Sequence, residues 1–473
     1  MMADLNTLAH LVGGTLHGSN AMFENVSTDS RTVGFNDLFV ALKGPNFNGN
    51  DFMIQAQEAG AAGALVSELN PDALINQVLV EDTLKALQVF ATHWREQFSI
   101  PVIGITGSNG KTTTKTMLAE ILKQSHQVHV TEGNFNNDIG VPITLLKLRE
   151  NHQFSVIEMG ANHRAEIGEL AAMAKPDIGI ITNTSAAHLE GFKDLEGVVR
   201  TKGELFQALA ATGTAIINAE SKGSLFLSKL AQHSEQINFG FEPGTDVRVS
   251  DFHHRVIEGS LKQVFNLRTP AWETEIVMNL LGKHNAMNAA AAAAAATVLG
   301  IERVDVENGL LRMHAVKGRF NLHELGTGGW LIDDCYNANP ASMFAAIETA
   351  CALEHPVWFV MGDMFEMGDK ADAFHAEIGA YAKKHGVERL YTVGEHSMAA
   401  VAAFGEQGKN FTSTEELSMH LNQVMAATAE PITVLVKASR GMHFENIVSE
   451  VSKHFIEATG QYRILNKQLL ESQ

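Results

Sequence analysis

The run Gly107-Ser108-Asn109-Gly110-Lys111-Thr112-Thr113 follows the apolar stretch Val102-Ile103-Gly104-Ile105-Thr106 and opens into TTTKTMLAEILKQ. Strand, glycine turn and helix in that order bring backbone N–H groups together at a helix N-terminus, where they converge on phosphate oxygens. Lys111 can reach the terminal phosphates, and the Thr112 hydroxyl can ligate Mg²⁺. The run departs from the general G-x-x-x-x-G-K-[ST] pattern, because Ile105 stands at the first glycine position and Gly107 is the nearer glycine. It is a shortened phosphate loop, and the chemistry it implies is binding and hydrolysis of ATP.

Three side chains downstream could work with that loop. Glu158 ends the apolar strand Phe154-Ser155-Val156-Ile157, at the C-terminal edge where parallel sheets bind ligands. It is either a Mg²⁺ ligand, since a hard cation wants carboxylate oxygens, or a strand-end glutamate in solvent. His188 could ligate a second cation or simply lie on a surface loop. On composition Lys202, in VVRTKGELF, reads as a solvated helix lysine.

These residues need a scaffold, and the chain is long enough for several cores. Its 473 residues exceed what one core supports and suggest three domains. Residues 1–82 read as a small α/β unit with short apolar runs, Asp37 to Leu42 and Ala64 to Val66, between glycine- and asparagine-rich turns. The amphipathic segment from Thr83 leads into the loop-bearing strand, and strands ending at Glu158, Asn183 and Asn218 alternate with helices, as in a parallel sheet covered by helices. Between Phe239 and Met278 the runs shorten and alternate, as in antiparallel strands at a sheet edge. The segment Lys283 to Leu299, with its alanine run Ala289 to Ala296, is a close-packed helix. Strands at Trp330 to Asp333, Pro356 to Met361, Arg389 to Val393 and Ile432 to Val436 make a third, doubly wound unit. The expected fold is α/β in three domains: 1–82, a central phosphate-loop domain 83–313 with a mainly parallel sheet, and a Rossmann-like domain 314–457. Residues 458–473 form a polar tail.

Composition narrows the partners. The 54 acidic against 35 basic side chains give a net charge of −19, which repels nucleic acid and anionic membrane. Two cysteines, Cys335 and Cys351, make neither a disulfide framework nor metal-ligand spacing, so a reducing compartment is expected. No apolar stretch reaches the ~18 residues of a membrane span, and the N-terminus lacks the pattern of a secretion signal. A cytoplasmic monomer is the expectation.

ITGSNGKTTTK resembles the ATP loop of the Mur ligases, the amide-bond-forming enzymes of peptidoglycan precursor synthesis, and STDSR (Ser27 to Arg31) resembles their nucleotide-sugar motif. GNFNNDIGVPITLL (Gly133 to Leu146) and MGDMFEMG (Met361 to Gly368), followed by His375, are similar to the branch that adds D-alanyl-D-alanine to UDP-N-acetylmuramoyl-tripeptide. The resemblance covers the chain to about Phe455. It implies that residues 1–82 bind the UDP-sugar and that the third domain meets ATP and the incoming dipeptide. It also implies that ATP and Mg²⁺ are used, with Thr112, Glu158 and His188 as metal ligands and Lys202 carbamylated into a fourth. Asn285, Asn288, Arg319, Asp334 and Asn339 would lie at the nucleotide, with Tyr336 and Asn337 in the same loop. Ser27, Ser30, Arg31, Asn134, Asn136, Asn137, Lys437, Ser439 and Arg440 would bind substrate, with Ala438 where the family's KGSR-like motif has glycine. The competing readings are another Mur or folylpolyglutamate-type ligase, which the motif at Gly133 to Leu146 disfavours, and a phosphate-loop switch or transporter ATPase.

Overall fold

The structure is a computed structural model, and the described residues are 1–45, 47–186, 189–326 and 328–457, the side chains of Leu189, Ile456 and Glu457 excepted. The tail 458–473 and His188 lie outside them. Strands and helices alternate along the chain, and the described residues build three successive large sheets.

The first sheet has five strands in the order Thr15–His17, Gln77–Leu79, Gly63–Val66, Asp37–Val40, Asn25–Ser27, all parallel except the first pair. Successive strand side chains point to opposite faces. Leu38 and Val40 accordingly join one apolar cluster with Phe90 and Trp94, while Phe39 and Ala41 join another with Met53 and Ala56. Phe90 and Trp94 sit on the helix Thr83–Glu96, whose N-cap Asp82 accepts from the Lys85 N–H at 3.0 Å. This helix packs the first unit onto the second.

The central sheet has nine strands, ordered Val128–Val130, Phe154–Glu158, Val102–Thr106, Ile178–Ile181, Thr214–Asn218, Glu235–Gly240, Val247–Ile257, Ser260–Arg268, Glu273–Met278. Pairing is parallel as far as Val247–Ile257, and the last two pairings are antiparallel, as the alternating runs imply. The strand expected to reach Asn183 ends at Ile181, because the Asn183 carbonyl turns to accept from the Ser108 N–H at 3.0 Å instead of continuing the sheet. Val102–Thr106 lies between Phe154–Glu158 and Ile178–Ile181, so the loop after it opens into a crevice at the carboxyl edge. The alanine helix, Lys283–Val298, buries all of Ala289 to Ala296 against the sheet and the phosphate-loop helix. Methyl side chains let those backbones approach closely.

The third sheet runs Asn321–Glu324, Trp330–Asp333, Thr433–Lys437, Val357–Gly362, Val387–Val393, Gly408–Phe411, and only its first pair is antiparallel. Its edge strands Asn321–Glu324 and Gly408–Phe411 were not expected from sequence. Among the described residues no helix is long and apolar enough to cross a membrane.

Candidate nucleotide and metal site

The helix Lys111–Leu122 starts at Gly110, which has φ 80° and supplies no side-chain cap, and its first turn carries no acidic residue. Its first N–H groups and the positive end of its dipole are therefore offered to an anion. A Cβ on Gly110 would stand 2.3 Å from Asn288 Oδ1, so glycine is needed for both torsion and space. The Lys111 ammonium donates to the Gly107 carbonyl at 2.7 Å, and burial pulls its pKa down against the opposing pull of Glu158. Asn183 secures the loop from below: its Oδ1 accepts from the Asn109 N–H at 3.1 Å and its Nδ2 donates to the Asn109 carbonyl at 2.9 Å.

Glu158 stands opposite Ile105 in the parallel ladder, which sets it beside the loop. It is 2 % exposed, which excludes the solvated reading. Its Oε1 accepts from Thr112 Oγ1 at 3.2 Å and from Asn136 Nδ2 at 2.8 Å, whereas the buried Oε2 has no hydrogen-bond donor. The Lys115 ammonium stands 3.4 Å from that Oε2 without meeting hydrogen-bond geometry, and a buried carboxylate so loosely held, beside a hydroxyl and a phosphate loop, fits a hard divalent cation such as Mg²⁺. Among the described residues there is no ready cluster of three His, Cys, Asp or Glu, so phosphate oxygens would have to supply part of the coordination.

The third unit closes the other side of a cleft of about 980 Å³. Arg319 Nη2 donates to Thr112 Oγ1 at 3.0 Å while its guanidinium lies 4.2 Å from the Tyr336 ring centroid. Asn339 caps the helix Pro340–Cys351 and exchanges amide hydrogen bonds with Asn109, of 2.7 and 3.2 Å. Asp334 pairs with Lys437 at 2.7 Å and accepts from the Phe320 N–H at 3.1 Å; burial raises its carboxyl, and Lys437 opposes this. Lys437 also donates to the Asn337 carbonyl at 2.9 Å. Asn285 and Asn288 are buried at the start of the alanine helix and line the cleft, with Asn288 Oδ1 accepting from Thr114 Oγ1 at 3.3 Å.

Some expected residues lie elsewhere. Ser27 ends a strand and Ser30 and Arg31 lie in the turn after it, in the first unit and away from the cleft lining, where Arg31 pairs with Asp29 at 2.7 Å and Ser30 donates to Gln55 at 3.0 Å. Ser439 accepts from the Phe365 N–H at 2.9 Å and Arg440 pairs with Glu445 at 3.2 Å, both outside the lining. Asn134, Asn136 and Asn137 do line it.

Lys202 corrects the compositional reading. It lies on the buried face of the helix Leu195–Gln207, 2 % exposed, with its ammonium 5.3 Å from the Phe192 ring centroid. Burial first, and Lys111 second, bring its pKa down to about 7. Cys335 is no nucleophile: its thiol donates to Asp333 at 2.7 Å, and burial pushes its pKa up. Two cleft features had escaped the sequence reading: the role of Asn183, and His284, whose imidazole burial lowers to about 4.

Fold and site thus define a three-domain α/β protein that binds a nucleotide at the carboxyl edge of its central sheet, under a third domain. The chain matches the Mur ligase middle domain over residues 105–296, the glutamate ligase domain of Mur ligases over 318–440, and the catalytic domain of the Mur ligase family over 22–95. It is 36% identical over 450 residues to the UDP-N-acetylmuramoyl-tripeptide--D-alanyl-D-alanine ligase of Escherichia coli, covering 95% of this chain and 98% of that one. The Bacillus subtilis enzyme of that name is 35% identical, over 94% and 98% of the two chains. The crystal structure of MurF from Acinetobacter baumannii superposes with a TM-score of 0.88 at 32% identity, over 95% of this chain and 98% of that one. MurF from Thermotoga maritima in complex with ADP gives 0.80 at 26% identity, over 91% and 97%. The chain belongs to the Mur ligase family.

Proposed function

We propose that this enzyme joins D-alanyl-D-alanine to UDP-N-acetylmuramoyl-tripeptide at the expense of ATP, forming an amide bond in peptidoglycan precursor synthesis. The observation that carries the reading is the buried Glu158 carboxylate beside Thr112 and the phosphate loop, its Oε2 faced by the Lys115 ammonium at 3.4 Å, in a chain that aligns along nearly its whole length with ligases of that name.

Amide formation from a carboxylate is uphill in water, so the carboxylate must first be activated. The tripeptide's terminal carboxylate attacks the γ-phosphate of ATP, giving an acyl phosphate and ADP; the dipeptide amine then attacks the acyl carbon, and phosphate leaves. Lys111 and the N–H groups of the phosphate loop hold the phosphates and stabilise the charge that builds on them. Thr112 and Glu158 would hold Mg²⁺, which when bound neutralises phosphoryl oxygens. Arg319, which stacks on Tyr336, serves the same phosphates. The nucleotide is also bordered by Asn285, Asn288, Asp334 and Asn339, while Asn134, Asn136, Asn137 and Lys437 serve the substrate side. The turn with Ser27, Ser30 and Arg31 takes the UDP-sugar, and Ser439 and Arg440 approach substrate only when the third unit moves. His188 serves a second metal.

Lys202 serves as a carbamate: its neutral amine adds CO₂ and loses a proton, turning a cation into an anion that can ligate metal. An amine whose pKa has fallen to about 7 is neutral often enough at physiological pH for that addition. The test is product analysis with ATP and both substrates, in which ADP, phosphate and the muramoyl-pentapeptide nucleotide form in equal amounts. Phosphate without amide product would contradict the reading.

A further inference from the structure

Lys115 lies one turn beyond Lys111 on the same helix and is 4 % exposed, yet the mechanism above gives it no part. Its Nζ donates to the Thr131 carbonyl at 2.8 Å and the Gly133 carbonyl at 3.3 Å, and stands 3.4 Å from Glu158 Oε2. The Thr131 hydroxyl accepts from the Glu158 N–H at 3.0 Å. Asn136, a few residues along the same loop, holds the other carboxylate oxygen. One buried ammonium therefore ties together the phosphate-loop helix, the strand end that carries Glu158, and the loop 131–137, whose asparagines line the cleft.

A buried lysine–carboxylate pair is a costly way to fill space, and an apolar pair of the same volume would pack there without desolvating two charges. What an apolar side chain could not do is fix the carboxylate's orientation. At 3.4 Å the pairing attracts Oε2 while falling short of a well-formed hydrogen bond, so the oxygen is oriented by charge without being saturated. Positions i and i+4 lie on one helix face, so Lys111 and Lys115 present two cations side by side: one toward the phosphates, the other toward Glu158.

We propose that Lys115 is a positioning residue for the metal–nucleotide complex, holding Glu158 and the loop 131–137 in one register so that metal binding and the cleft-lining asparagines are set together. The inference rests on the ATP-and-metal reading above, and its test separates the two. Mn²⁺ is titrated into the full chain in the presence of ATP and followed by electron paramagnetic resonance, for wild type, Lys115→Gln and Lys115→Met. The variants should bind ATP without metal within threefold of wild type. They should need at least tenfold more Mn²⁺ for half-saturation, and show a KM for the muramoyl-tripeptide nucleotide raised by a similar factor. Folded variants with an unchanged Mn²⁺ titration and KM would overturn the proposal. Wild type that binds no Mn²⁺ with ATP would overturn the metal reading and this one with it. Should neither variant fold, hydrogen exchange on wild type decides: amides of 131–137 gain protection with Mn²⁺ and ATP but not with ATP alone, and equal protection in the two states contradicts the role.

Discussion

Arg319 of the third unit donates to the hydroxyl of Thr112 at 3.0 Å, and that hydroxyl in turn reaches Glu158 at 3.2 Å. A guanidinium from one domain is thus hydrogen-bonded to the residue expected to ligate metal in another. Arg319→Ala should lower kcat by roughly 10²–10³, the cost of removing one donor aimed at developing charge. Arg319→Lys should recover little, because an ammonium cannot both stack on Tyr336 and present a planar fork. Steady-state kinetics checks this, and a lysine variant within threefold of wild type would contradict it.

Gly110→Ala should abolish ATP binding while leaving the chain folded. The φ of 80° costs an alanine about 1–3 kcal/mol, and the Cβ would press on Asn288 Oδ1 at 2.3 Å, a side chain that itself holds Thr114. Calorimetric titration with ATP, alongside a circular dichroism melt, is the measurement; unchanged affinity would be the adverse result.

The phosphate loop was legible because every step in it is local: apolar strand, glycine turn, helix opening. Glu158 was legible as a strand end, but whether it faced solvent depended on the Ile105 register and on Asn136, neither of which spacing encodes. Lys202 was singled out only through the family resemblance, and its burial, like that of Lys115, was invisible for a related reason, since a lysine on a helix reads as solvated until the neighbouring helices and loops are known to cover it. The edge strands Asn321–Glu324 and Gly408–Phe411 were missed because NLHE and GKNF carry too little apolar alternation. The branch-specific reading came from the motifs at Gly133 to Leu146 and Met361 to Gly368, through resemblance and not through any chemistry those letters dictate.

Asn109 and Asn339 exchange two amide hydrogen bonds between the phosphate loop and the third unit. Asn109→Ala and Asn339→Ala should each weaken ATP binding, and the double variant should cost less than their sum by about 0.5 kcal/mol or more. Strict additivity in the double-mutant cycle would show that the contact does not bear on the nucleotide.

The unmodified Lys202 amine, in chain kept free of CO₂, gives a pH signature. Its pKa is about 7 in the folded chain against an ordinary 10.5, so between those values the unfolded chain binds more protons and stability rises with pH. Lys202→Met should therefore be most stabilised relative to wild type below pH 7, with the difference shrinking toward pH 10.5; urea titrations across that range test it, and a constant difference contradicts it. Lys202→Ala should lose turnover and regain part of it with added small carboxylates, which can stand in for the carbamate. Failure of that rescue would weaken the carbamate assignment.

The most direct test of the central claim is phosphate release from ATP by the purified chain, measured with each substrate alone and with both together. The ligase account predicts release only when UDP-N-acetylmuramoyl-tripeptide and D-alanyl-D-alanine are both present, with one amide formed per phosphate. Steady ATP hydrolysis that neither substrate changes would contradict it and point to a nucleotide switch instead.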